Sequence, residues 1–206
     1  MFKQPKWALE LIDSKKTVKR LNNFRPDFRI PEMFRANLND FKNSGYDRGH
    51  LVASADKDND LLENSETFLL SNMTAQKHGL NAGAWENLEI LIRENDKKES
   101  VLETFVISGP MYQLHRPIES IGWQENEQTV IPVPHEFFKS ILVENTLGNI
   151  NIYSYIMPND DKTDKDLDRY VCTVNEIEKK SGMILWPGLL GKEIEQKKSS
   201  RNILCT

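Results

Sequence analysis

The sequence predicts an α+β domain. Strand-like segments follow one another through the second half of the chain, helical periodicity lies on either side of that block, and no repeat or linker divides the 206 residues. Strands and helices that do not alternate strictly fit an α+β arrangement better than a doubly wound parallel sheet. Residues 1–206 therefore read as a single domain, long enough to build a core without disulfides or a structural metal.

Each element has its own reason. Residues 5–12 (PKWALELI) read as a short helix opening on Pro5, a residue suited to a first turn. Residues 31–42 (PEMFRANLNDFK) read as a second helix, with Met33, Phe34, Leu38 and Phe41 at helical spacing. Residues 66–73 (ETFLLSNM) read as a strand buried on both sides through Phe68, Leu69 and Leu70. From Asn81 the period changes, and Trp85, Leu88, Leu91 and Ile92 form one helical stripe ending near the polar run 93–100.

The segments 103–110, 129–134, 137–144 and 151–157 are rich in β-branched and aromatic residues, with Gly and Pro between them, as strands require. Residues 173–182 close the pattern as a helix. Thr173 and Glu176 have capping-box spacing and Gly182 supplies a C-terminal stop.

Composition excludes several classes. With 38% hydrophobic and 28% charged residues the chain is ordinary for a globular protein, and no run is long enough to span a bilayer, so no membrane partner is expected. Cys172 and Cys205 form neither a disulfide framework nor a CxxC zinc motif, which suggests a reduced compartment. Glu10 and Asp13 interrupt any apolar leader, so the chain as given reads as cytoplasmic or intracellular, or as secreted or organellar if an upstream segment has been removed. The net charge of −4 hides an asymmetry. Residues 1–50 hold eleven Lys/Arg against six Asp/Glu, so a basic face toward a polyanion and a solvated basic stretch are equally consistent with charge alone.

Two stretches carry chemistry. "SGYDRGHL" (44–51) sets Asp47, Arg48 and His50 together after a turn-like Ser44-Gly45. "LSNMTAQKHGLNAGAWENLEILIR" (70–93) threads Asn72, Gln76, Asn81, Glu89 and Arg93 among apolar residues. On a helix from Asn81, Glu89 lies about 80° and Arg93 about 120° around, so both sit on one flank of the buried stripe. The plain alternatives are a Glu89–Arg93 ion pair at i,i+4 and an N-cap role for Asn81.

"YDRGHL", then "SNMTAQ", then "LNAGAWENLE" resembles the DNA/RNA non-specific endonuclease family, whose members share a ββα-metal active site. The resemblance continues through "SGPMY" (108–112), "IPVPHEFFK" (131–139), "YIMPN" (155–159) and "VNEIEKKSGMILWPGL" (174–189), covering about 22–189 in the family's order. It implies a ββα-metal nuclease fold with a mainly antiparallel central sheet flanked by helices. It also implies a Mg2+-dependent hydrolase, with Mn2+ as an alternative, that cuts DNA and RNA with little sequence preference and leaves 5′-phosphates.

Residue by residue, the resemblance makes His50 the general base, plausible at cellular pH for an imidazole that titrates near neutrality. Asn81 becomes the single direct Mg2+ ligand, enough for an ion that keeps several waters, and Glu89 holds the metal's waters from the second shell. Arg48 and Arg93 neutralise the phosphate, Arg20 is the best match to an upstream family arginine with Arg25 and Arg29 as substitutes, and Asp47, Asn72 and Gln76 support the site.

Ala53 and Ala75 stand where the family often has proline, a difference of loop shape. Relatives usually carry a further N-terminal segment ahead of Trp7, so the chain reads as a trimmed or compact variant. For His78, His115 and His135, and for Trp7, Trp85, Trp123 and Trp186, structural roles are expected, Trp123 being the one left open as a stacking platform. A homodimer and an inhibitor or regulatory protein are carried as candidate partners. Two other classes stay open: a catalytically silent nucleic-acid-binding module, and a nuclease toxin or defence effector held off by a partner.

Overall fold

Three long strands set the frame. β4 (Val101–Met111), β7 (Glu136–Asn145) and β8 (Ile150–Pro158) pair antiparallel in a computed structural model describing residues 3–13, 17–122 and 131–205. β1 (Ala8–Leu11) joins β4 at one edge and β9 (Val171–Cys172) joins β8 at the other, giving the order β1-β4-β7-β8-β9, antiparallel throughout. Short β5 (Ser120–Ile121) and β6 (Ile131–Pro132) form a separate pair.

Residues 137–143 are buried without a break because helices cover both faces of β7. Side chains alternate across a strand. Phe137, Ile141 and Val143 join Trp85, Leu88 and Ile92, the last two on α3 (Glu86–Asp96). Phe138 and Leu142 join Val174 and Ile177 of α4 (Val174–Ser181) with Leu185 and Trp186. Lys139 falls on the α3 face at a position whose neighbours in that register are apolar, and it is 1% exposed. α5 (Lys192–Ser199) packs beside α4.

Several expectations hold. α3 occupies the predicted stripe, and α4 carries the capping box of Thr173 and Glu176, with Gly182 left-handed at φ +69°. The predicted strands at 103–110, 137–144 and 151–157 lie inside β4, β7 and β8.

Others are corrected. Residues 5–12 are not a helix; β1 forms because the free edge of β4 offers backbone partners, and pairing overrides local propensity. That choice leaves Trp7, Leu9 and Leu11 exposed, so Trp7 is not a core residue. The 31–42 helix breaks into one 3-10 turn (Glu32–Phe34) and α1 (Leu38–Phe41), with extended backbone at Arg35 and Asn37 between them. Met33 and Leu38 are exposed there, and Phe41 alone of the four spaced residues reaches the core.

The 66–73 segment is not a strand. It holds the end of α2 (Leu61–Thr67), a 3-10 turn (Leu70–Asn72) and only the first residue of β3 (Met73–Gln76). An apolar run buried on all sides, as Phe68–Leu70 is, fits a turn as readily as a strand. Of 129–134 only Ile131–Pro132 is strand, while 129, 130 and Trp123 lie outside the described residues. Cys172 and Cys205 are free. Among the described residues no helix is long and apolar enough to cross a membrane.

Candidate active site

The site starts from a two-stranded ribbon. Gly45, at φ +78°, turns the chain into β2 (Asp47–His50), which pairs antiparallel with β3, Gly49 facing Thr74 and His50 facing Met73. Gly49 is required by close approach: a Cβ there would stand 2.1 Å from the Gln76 side chain, which is fully buried against it. Asn72 holds the exit of β2, its amide donating to Val52 O at 2.9 Å and accepting from Val52 N at 3.0 Å. Gln76 and Asn72 therefore support the ribbon from behind and do not line the groove.

His50 lies in an aromatic and cationic frame. Its ring meets Phe68 edge-on at 5.2 Å and Phe24 at 5.6 Å, and those two rings pack edge-to-face at 5.0 Å. The Arg48 guanidinium stands 4.1 Å from the Phe24 centroid and that of Arg20 5.1 Å from Phe68, contacts that fix both cations beside the imidazole. Burial first, then the charges of Arg20 and Arg48, push the His50 pKa down to about 3. The expected titration near neutrality is thus corrected: in the free protein this imidazole is neutral across cellular pH. Its Nε2 is buried without a hydrogen-bond partner, and its carbonyl oxygen accepts from Trp85 Nε1 at 3.2 Å.

Across the groove, Asn81 sits in a wide π-type turn (Leu80–Trp85) that feeds α3, its backbone leaving helical geometry at Ala82 and Gly83. Asn81 is therefore not the N-cap of α3. Its Nδ2 donates to Asp47 Oδ2 at 2.9 Å. A carboxylate only accepts, so the amide nitrogen is held at Asp47 and its oxygen is left for the groove. The same Asp47 oxygen faces His78 Nδ1 at 2.8 Å, giving His78 a place beside the site that its sequence context did not suggest. His135 holds local structure, taking Gln113 N at 3.1 Å and facing Pro117 O at 3.0 Å.

Glu89 enters the groove from the first turn of α3. Its nearest ion-pair partner is Lys139 Nζ, 3.8 Å from Oε1, and burial raises its pKa despite that cation. The plain alternative of a Glu89–Arg93 pair at i,i+4 is displaced by another partner, Arg93 Nη1 donating to buried Asp56 at 2.6 Å. Glu10 of β1 is buried in the same region, and burial, then Asp56, raises its pKa well above the carboxylate range. Lys139, Asp56, Glu10, Phe24 and Phe68 carry no motif spacing. The one sequence hint was a lysine inside the apolar run 137–143.

A groove of about 600 Å3 joins these parts, lined by Arg20, Asp47, Arg48, His50, Asn81, Glu89 and Arg93, with Lys42 and Tyr46 on one wall. Of the three upstream arginines, Arg20 reaches it. Arg25 donates to Ser65 O at 2.8 Å and Arg29 pairs with Asp27 at 2.9 Å, both elsewhere. Among the described residues no cluster of three or more His, Cys, Asp or Glu could chelate a metal. The donors present are a single amide oxygen and a carboxylate behind it, hard oxygens suited to a hydrated Mg2+ or Mn2+ and not to zinc.

A model of the DNA/RNA non-specific endonuclease family matches residues 3–191. Mitochondrial endonuclease G of Caenorhabditis elegans is 31% identical over 188 residues, 89% of this chain and 60% of that protein. A nuclease of Syncephalastrum racemosum is 34% identical over 181 residues, 82% of this chain and 55% of that protein. Among solved structures, a chain of the EndoG/EndoGI complex, described for the mechanism of EndoG inhibition, superposes with a TM-score of 0.81 at 27% identity, covering 91% of this chain and 80% of that one. The chain spans 60% and 55% of the length of those two curated relatives.

Proposed function

The chain belongs to the DNA/RNA non-specific endonuclease family, and from that premise we propose that it hydrolyses phosphodiester bonds of DNA and RNA with a divalent cation, leaving 5′-phosphates. The observation that carries this reading is one groove with a neutral, arginine-flanked His50 on one wall and the Asp47-oriented Asn81 on the other.

His50 acts as general base. Because Nε2 is buried, Nδ1 is the ring nitrogen left to take the proton of an attacking water. An imidazole held near pKa 3, by burial first and then by Arg20 and Arg48, is a weak base, and a phosphate between the two arginines would offset the charge part of that depression. Those arginines pair with the phosphate oxygens, and Arg93, anchored on Asp56, adds charge at the groove's far side. Asn81 would hold the cation directly and Glu89 would hold its waters. When bound, Mg2+ or Mn2+ supplies Lewis acidity at the leaving 3′-oxygen. Contacts of these kinds reach the backbone and read no bases, which fits cleavage with little sequence preference.

The test incubates plasmid DNA and RNA with the purified chain in Mg2+ or in EDTA, beside His50→Ala. Cleavage of both substrates that disappears in EDTA and in the variant is expected. Cleavage that persists in either sinks the mechanism, and binding without cleavage turns the reading to a silent nucleic-acid-binding module. The EndoG/EndoGI likeness favours a second feature, control by an inhibitor protein. Toxicity on expression, relieved by His50→Ala or by a co-expressed inhibitor, tests it.

A further inference from the structure

Lys139 is a fully buried ammonium with an unusual set of neighbours. Its Nζ lies 3.1 Å from Ser108 Oγ, 3.4 Å from the carbonyl of Leu51, 3.8 Å from Glu89 Oε1 and 4.3 Å from the centre of the Trp85 ring. Leu51 directly follows His50, and Trp85 in turn donates to the carbonyl of His50. A buried charge is retained only where partners compensate it, and here the partners belong to both walls of the groove.

We propose that Lys139 is a positioning residue that sets the attitude of Glu89 and ties it to the strand bearing His50. Glu89 Oε1 is buried and has no hydrogen-bond partner of its own, so the ammonium is what draws that oxygen inward and turns the other toward the groove. Through Leu51 O and the Trp85 ring the same ammonium references the carboxylate to the backbone that carries the base. The two halves of the site come from a ribbon and a helix that share no strand. A rigid cation from a third element, β7, gives them a common origin. This inference rests on the metal-dependent reading above.

The experiment measures Mn2+ binding by electron paramagnetic resonance, without turnover, for the unaltered chain, Lys139→Met, Glu89→Gln and the double variant. The KM for nucleic acid is measured in parallel. Lys139→Met is expected to weaken Mn2+ roughly tenfold, as loss of an outer-shell partner does, with KM unchanged. In the Glu89→Gln background the same change is expected to have no further effect, because Lys139 acts through Glu89. Should Lys139→Met not fold, Ser108→Ala keeps the charge, removes one of its anchors and is expected to weaken Mn2+ in the same direction. Unchanged Mn2+ affinity in a folded Lys139→Met or in Ser108→Ala, or a full effect surviving in the Glu89→Gln background, overturns the inference alone. An unaltered chain that binds no Mn2+ overturns the functional reading and this inference with it.

Discussion

One carboxylate oxygen of Asp47 receives the amide of Asn81 at 2.9 Å and faces the ring of His78 at 2.8 Å. The most conspicuous charge of the DRGH motif therefore serves a residue far along the chain, and its consequence is orientation. Asp47→Ala frees the Asn81 amide to rotate, and metal affinity should fall about tenfold, as for other outer-shell partners. His78 is exposed, so His78→Ala should cost no more than about twofold. Titrating cleavage against Mg2+ concentration checks both; an Asp47→Ala curve that overlies the original would refute the assignment.

His50→Ala should lower kcat by about 10²–10⁴ while nucleic-acid binding remains. The pH dependence of stability follows from the same residue. Its folded pKa of about 3 lies below the ordinary 6.5, so between those values the unfolded chain binds more protons. Stability should thus fall as pH drops through that window, and His50→Ala should flatten this acid limb in urea unfolding. In NMR titrations the His50 pKa should rise when inorganic phosphate is added.

Glu89 has the opposite sign. Burial raises its folded pKa to about 7 from an ordinary 4.5, so its contribution is intact below the lower value and lost as pH rises through the upper. At mildly alkaline pH without metal, Glu89→Gln should raise Tm by roughly 2–4 °C, and with Mg2+ present it should abolish cleavage. A lower Tm would show that Lys139 needs this carboxylate more than burial penalises it.

Gly49→Ala drives a Cβ into Gln76, which is buried too deeply to move aside. The overpacking should cost about 1–3 kcal/mol. Adding Gln76→Ala should recover part of that loss, because the second change removes the colliding atoms. Thermal melts of the four proteins in a double-mutant cycle measure the recovery.

The sequence made α3, α4 and the three long strands legible because their periodicity or β-branched runs are continuous and their stops are chemical. It did not reveal β1, whose residues pair with an edge they cannot announce, nor the turn after α2, whose apolar run is buried from every side. Motif order picks out Asp47, Arg48, His50, Asn81 and Glu89, which the fold brings to one groove, and of the three upstream arginines Arg20 alone lines it. Lys139 and Asp56 were hidden because a charged residue in a strand or turn reads as surface until the layers above it are placed.

The central strand β7 also bears on the order in which the groove is built. Asp47 through Arg93 leave the ribosome well before Phe137 and Ile141 of β7, on which Trp85 and the helix below the groove pack. A nascent chain therefore exposes every group of the motif before Phe137 can pack against Trp85, and Trp85 is what holds the His50 carbonyl. Synthesis order thus separates the motif from the strand that seats it: the groove is completed only after β7 has been made.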